Sequence, residues 1–565
     1  MNRKIVINLI LMILAIACAV PLHASTITSP SCSESDVASA IALAANGDTV
    51  VIPSCPLGVT WTSALSITKG ITLIGQGAGN TVITDSTTKG DSNCQGVTPL
   101  IRVNLSSNVF VRISGLTING LPAVNNCGES AQHISISGST HQFRVDHITF
   151  NLGVTGVNPV DDSWGVIDHN TFNDAADKFP VLVQHNSWQG VGNFGDNSWA
   201  QPDTLGQARA VFIEDNTFNY PSTIFPTGCF DTEAGGRLVF RYNTGCPFVG
   251  MHGLESSGRL RSGRQYEIYN NTFTAQVNSL QNMYTGVFLR GGTGMIFNNS
   301  FNDIPGSPYL TLVQVNNYRD SNNAWAPWGR NYDGTGCDGR SDFDTNIGGV
   351  YLTGTYNGAG GAIEILTDTT RNWTPNQWVG YSAINTTKGW GSAINSSTAT
   401  TITTGYAQQG TAHSWTSGDG YEIRKAYPCA DQIGRGPGQL LSGYIQTPVG
   451  PVNQALDPLY AWLNNHNGTN QAAVTTNNAH IAPNRDFYDW TPSFNGSSGV
   501  GSGPLSARPA SCTPNVAYWA TDTNTLYQCS SPNNWTAYYT PYTYPHPLIN
   551  GSGDNTPPTV SITLQ

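Results

Sequence analysis

Charge is what this sequence has least of. Asp, Glu, Lys and Arg supply 11% of its 565 residues and balance to −11 at pH 7. Such a deficit of Lys and Arg excludes nucleic acid as a general partner, because that binding is built on clustered cations. Long apolar runs are missing beyond residue 24, so no membrane-spanning helix is expected there. The cysteines form no CxxC pair, which disfavours a zinc site. No helical periodicity separates the short β-prone runs of the central chain, which argues against helical repeats.

The first residues are of another kind. Arg3 and Lys4 precede the apolar run Ile5 to Val20, and Leu22-His23-Ala24 offers a cleavage site, so residues 1–24 read as a secretory signal. Ala15-Ile16-Ala17-Cys18 loosely resembles a lipobox, and a lipoprotein is the alternative. Removing the signal's two cations takes the formal charge to about −13. The mature chain is expected to be secreted, periplasmic or surface-held, monomeric, and not inserted in a membrane. Ten cysteines remain: Cys32, Cys55, Cys94, Cys127, Cys229, Cys246, Cys337, Cys429, Cys512 and Cys529. An even number suits disulfides in an oxidising compartment, and neighbours pairing in order is the simplest scheme.

What is present is a repeat. "FRVDHITF" at 143–150, "GVIDHNTF" at 165–172 and "VFIEDNTF" at 211–218 continue as "LVFRYNTG" at 238–245, "YEIYNNTF" at 266–273 and "GMIFNNSF" at 294–301. Each alternates with period 2 and ends in a turn, as a short strand does. Asn170, Asn216, Asn243, Asn271 and Asn299 recur at one place, with Ile148 in the first unit. A period of roughly 20–30 residues with short strands predicts a β-solenoid whose inward asparagines bond one another from turn to turn. Ser33-Glu34-Ser35-Asp36 opens a helical stretch through Ala45, suited to plugging the open end.

"GDTVVIPSC", "LSITKGITLIGQG" and the "IDHNTF"-like units together resemble the pectate-lyase-like right-handed parallel β-helix superfamily, over about residues 33–310. The resemblance implies an all-β fold and a secreted, carbohydrate-active protein. Its Arg-x-Pro-x-x-Arg motif is not matched: "RGPGQL" at 435–440 lacks the second Arg. The expected organisation is a capped β-helix over 25–337, an inserted small β module over 338–428, and a return that closes the helix over 429–505. An aromatic-rich segment, 506–549, and a linker, 550–565, follow. Cys337 and Cys429 are placed to clip the insert, and Cys512 and Cys529 to bridge the aromatic segment.

The scarce charge is concentrated at 250–273, "GMHGLESSGRLRSGRQYEIYNNTF". Counting back from Asn243 and Asn271 sets Asp231 and Glu233 one circuit below Arg259 and Arg261. Leu260 and Phe288 then point inward and the four charges outward. His252 and Glu255 lie in the preceding turn, and Arg264 and Arg290 border the cluster. An exterior salt-bridge ladder is the plain alternative. As a site, the cluster suits an acidic polysaccharide, because guanidinium pairs well with a planar carboxylate. The expected activity is β-elimination: Arg259 and Arg261 on the uronate, His252 as base, Glu255 assisting proton transfer, and Arg264 and Arg290 binding substrate. Asp231 and Glu233 orient the arginines or hold calcium, the one cofactor the resemblance suggests. A glycoside hydrolase using an Asp/Glu pair and a non-catalytic glycan-binding adhesin are the alternatives. Asp146-His147 and Asp168-His169 read as turn caps, and Asp342, Asp344 and Asn346 as an isolated calcium-like alternation.

Overall fold

The computed structural model describes residues 24–91, 95–106, 108–121, 131–139, 141–173, 179–188, 197–220, 228–252, 262–276, 285–316, 350–379, 381–388, 390–404, 414–424, 431, 433–436, 455–477 and 481–550. Short strands visit three sheets in turn, and each strand pairs with the one reached a circuit later. The first face has 12 strands, from Thr26–Thr28 to Phe487–Tyr488, all joined in parallel. The second has 11, from Cys55–Trp61 to Thr469–Asn470, antiparallel only at its final pair. The third comes in two sections, six strands ending at Phe230–Glu233 and four beginning at Val249–Gly250. The bonds Cys229 N to Phe248 O (2.8 Å) and His252 N to Thr232 O (3.2 Å) stitch the sections together.

Alternation within the repeats explains the core. Val145, Ile167, Ile213, Phe240, Ile268 and Ile296 hold equivalent places in successive circuits, and all are fully buried in one cluster. The asparagine ladder forms as expected. Asn170, Asn216, Asn243 and Asn271 each donate from backbone N and Nδ2 to the next rung's Oδ1, at 2.9–3.2 Å. Asn299 continues it to Asn464, a rung the repeat count did not include. Phenylalanines stack one residue past the following threonine: Phe150 on Phe172 at 4.9 Å and Phe172 on Phe218 at 5.2 Å.

The helix Glu34–Leu43 caps the core as read, with Ser33 Oγ accepting from Asp36 N. Its Val37, Ala40 and Ile41 join the main core. Lys69 Nζ donates to the carbonyls of Ile41, Ala42 and Ala44, satisfying a C-terminus that carries no basic residue of its own.

After Thr311–Val315 the chain leaves the parallel sheets and rejoins them at Leu459–Trp462. Between them, residues 350–424 form antiparallel sheets around a separate core that includes Leu366, Ile394, Ile402, Trp415 and Ile423. The returning strands extend all three faces, at Leu459–Trp462, Asn465–His466 and Val474–Thr475. A four-stranded sheet follows, and it takes in Val500–Gly503, ahead of the boundary expected at 505.

Cys32–Cys55, Cys229–Cys246 and Cys512–Cys529 are bonded, three of the pairs expected from order along the chain. Cys94, Cys127, Cys337 and Cys429 lie outside the described residues.

Candidate functional site

The site lies where the two sections of the third face meet. In the strand Phe230–Glu233, Phe230 joins the core and Thr232 Oγ1 reaches the Val183 carbonyl of the previous circuit. Asp231 and Glu233 therefore face outward, as the alternation requires. Asp231 is nevertheless only 2% exposed. One of its oxygens accepts backbone N–H groups from Thr232 (2.8 Å) and His252 (3.1 Å), and the other contacts His252 Nδ1. Burying a carboxylate this far requires such donors. An Asp on Nδ1 fixes the imidazole so that Nδ1 carries the proton and Nε2 presents a lone pair. Phe179 packs its ring edge-on against His252 at 6.5 Å. Glu233 accepts from Gln184 Nε2 at 2.6 Å, and Gln184 in turn accepts from Asn158 at 3.3 Å, a polar row across three circuits.

The register differs from the one counted along the sequence. The segment above Asp231 is 249–252, and the place facing its carboxylate belongs to His252. The next strand, Thr285–Leu289, pairs with Val249–Gly250. Val287 and Leu289 enter the core, so Phe288 points outward, opposite to the expectation. The count failed because the path from the third face back to the first is longer in this circuit than in its neighbours. Glu255, Arg259 and Arg261 lie outside the described residues.

Of the other expected cations, Arg290 stays beside the dyad. Its Nε donates to the Met251 carbonyl at 2.9 Å and its guanidinium lies 5.3 Å from the Phe288 ring centre. Arg264 does not fit substrate binding. It is 2% exposed, donates from Nη2 to Asp457 Oδ2 at 2.6 Å, and sits over Trp199. A buried ion pair to the returning segment is its role, because an arginine so enclosed cannot meet a polymer.

The oxygens of Asp231 and Glu233 already accept from N–H donors, and no group of three or more His, Cys, Asp or Glu among the described residues is placed to hold a metal. Asp146 and Asp168 are likewise engaged. Asp146 receives Arg112 Nε and Nη2 (2.8 and 2.7 Å), Ser114 and His147. Burial works against its charge, but the Arg112 and His147 hydrogen bonds and the two arginine charges outweigh burial and hold the carboxyl well below the usual range. His147 and His169 occupy left-handed turn positions and stack at 5.3 Å, which agrees with turn capping. Asp342, Asp344 and Asn346 lie outside the described residues.

The larger omission concerns the outer side of the first face. Ser114, Asp146, Asp168, Glu214, Arg241, Tyr269, Phe297 and Trp462 form one outward column, turning from charged to aromatic along the sheet. The four-stranded sheet and the chain up to Ile549 cover it. Beneath that cover Glu267 accepts from Tyr539 Oη and from Gly206 N, and burial pushes its carboxyl up to about 7 despite those bonds. The aromatic density of 512–549 signalled burial against something, but not against what.

No family model matches the chain, and no curated protein matches it. Among solved structures, Geobacillus virus E2 ORF18 aligns over 96% of this chain and 90% of its own at 12% identity, with a TM-score of 0.19. A likeness that slight carries no argument about fold or chemistry.

Proposed function

We propose that this chain is a right-handed parallel β-helix of the pectate-lyase-like kind, exported, that cleaves an acidic polysaccharide by β-elimination on its third face. Handedness follows from the strong preference of parallel crossover connections. Export is supported by the three disulfides, and no described helix is long and apolar enough to cross a membrane.

The observation that carries the reading is the Asp231–His252 pair. Nε2 removes the proton beside the uronate carboxylate. The electron pair left behind forms the carbon–carbon double bond as the glycosidic C–O bond breaks, and the leaving oxygen takes up a proton from water with Glu255 assisting. Arg290, bonded to the carbonyl of Met251 next to the base, neutralises the carboxylate, with Arg259 and Arg261 sharing that task. Asp231, committed to orienting His252, is poorly suited to be the acid of a hydrolase.

The test is ultraviolet absorbance from newly formed unsaturated uronate on pectate, alginate and glycosaminoglycans. His252→Ala and Asp231→Asn should each lower kcat by about 10²–10⁴, the range for loss of a positioned base, with the fold unchanged by circular dichroism. Reducing ends released without that absorbance would establish hydrolysis. Binding without cleavage, unchanged in both variants, would leave an adhesin.

A further inference from the structure

We infer that a cleft between the outer side of the first face and the C-terminal sheet is a second saccharide site, one that takes an uncharged sugar. Its volume is about 620 Å³, within the roughly 300–1,000 Å³ of small-molecule sites. Tyr269, Phe297 and Trp519 form its apolar base, with Tyr269 and Phe297 stacked at 4.6 Å. None of the lining residues is Asp, Glu, Lys, Arg or His, although the neighbouring sheet surface is rich in ion pairs.

One wall repeats with the circuits. Tyr242, Asn270, Asn298 and Leu463 each precede a ladder asparagine, and all are left-handed, with φ of 57, 57, 54 and 52°. Earlier circuits place His147, His169 and Asp215 there. Asn and Asp tolerate this conformation through their short side chains, whereas a bulky residue adopts it at a cost. Tyr242 and Leu463 both bear that cost, and the Tyr242 ring stacks on Tyr544, at 3.7 Å between centres, beside the cleft. Strain held at a residue lining a cleft points to use of its side chain. Tyr544 is 42% exposed, and Asp215 accepts from its hydroxyl at 2.9 Å.

The cleft is built rather than incidental. Arg241, buried beneath it, donates to the carbonyls of Tyr542 and Thr543 (2.7 and 2.9 Å) and to Tyr269 Oη (2.8 Å). The polar groups are amides and hydroxyls on both sides: Asn270 and Asn298 on one, Thr521, Asn524 and Thr540 on the other. A pyranose ring matches this pattern, with C–H groups for an aromatic face and a belt of hydroxyls that both donate and accept. A proline-rich peptide also fits aromatic grooves, but it brings chiefly carbonyl acceptors and leaves the acceptor oxygens of the walls unused.

The test is calorimetric titration of the full chain with cellohexaose, mannohexaose, xylohexaose and a β-galactan oligosaccharide. At least one should bind, and Tyr544→Ala and Tyr242→Asn should each weaken it by about tenfold or more, the effect of losing one stacking platform. Asparagine is at home in the left-handed turn, so Tyr242→Asn should melt no lower than Tyr544→Ala, whereas a merely structural tyrosine would reverse that order. His252→Ala should bind the neutral sugar as the wild type does, which separates this site from the third face. No binding of any of the four, unchanged binding in both tyrosine variants, loss of binding in His252→Ala, or tighter binding of a proline-rich peptide would each overturn the proposal.

Discussion

Gly245 shows how one residue adjusts a repeating frame. The unit "LVFRYNTG" ends in glycine where its neighbours end in phenylalanine, and by sequence it passes for a degenerate copy. In the structure Gly245 is a bulge at φ 74°, and Cys246 takes the phenylalanine's register opposite Phe273. The cysteine then lies fully buried and reaches Cys229 across the interior. A Cβ on Gly245 would come within 2.3 Å of the Phe218 carbonyl. Gly245→Ala should therefore lower stability by about 1–3 kcal/mol in urea unfolding. The ladder offers a contrasting pair. Asn271 accepts twice from Asn243 and donates to Asn299, Phe240 O and Tyr269 O, entirely inside. Asn173 bonds Asn151 and Asn219 on the outer side of the second face, partly in water. Asn271→Ala should cost about 3 kcal/mol or more, because several groups lose partners where water cannot replace them. Asn173→Ala should cost about 1 kcal/mol or less. The inner row was legible because its neighbours repeat in sequence; the pairing of His252 with Asp231 was not, since it depends on where an irregular turn rejoins the sheet.

Elements were read most reliably where pattern and burial coincide. The capping helix announces itself by its capping serine and first-turn acids, the parallel strands by local periodicity, and the antiparallel excursion by a Thr- and Gly-rich run. Lys69, which finishes the helix, comes from a later circuit, and nothing local to the helix marks it. The excursion over 350–424 has its own core, so replacing 338–428 by a short linker should leave the parallel sheets folded, since a long surface loop costs little entropy to close. The check is retention of the native melting transition in the deletion variant. The contact between the C-terminal sheet and the first face carries a titration of its own. Glu267 has its carboxyl raised from an ordinary 4.5 to about 7 by burial. Between those values the folded chain holds a proton that the unfolded chain releases, so this group's contribution is full below about 4.5 and declines as pH rises toward 7. The decline is on the order of 3 kcal/mol. Glu267→Gln should remove it: urea midpoints at pH 5 and pH 8 should lie closer together in the variant than in the wild type.

Over the whole molecule two kinds of contact coexist, and only one was legible. Before the antiparallel excursion, circuit-to-circuit pairing joins residues a few tens apart, 22 for Asn170 with Ile148 and 49 for Thr232 with Val183, and a repeat makes such pairing visible. The outer cover joins residues hundreds apart: Tyr539 with Glu267, Arg241 with Tyr542 and Thr543, Arg144 with Ile549. No periodicity encodes those partners, because each is made once. This division bears on how the chain comes to be folded. Circuits can assemble by neighbour-upon-neighbour growth as the polypeptide emerges, each new turn using the last as a template. The aromatic column begins with Tyr269 and Phe297 and is complete at Trp462, yet it stays bare until residues 517–549 have been made and have travelled back. Closure of such long loops is slow, and a naked hydrophobic stripe in the interval invites association between nascent chains. A chain with only 11% charged residues offers little electrostatic repulsion to prevent it. Yield of native protein should therefore be governed less by the strands that build the solenoid than by how promptly residues 517–549 arrive to clothe it.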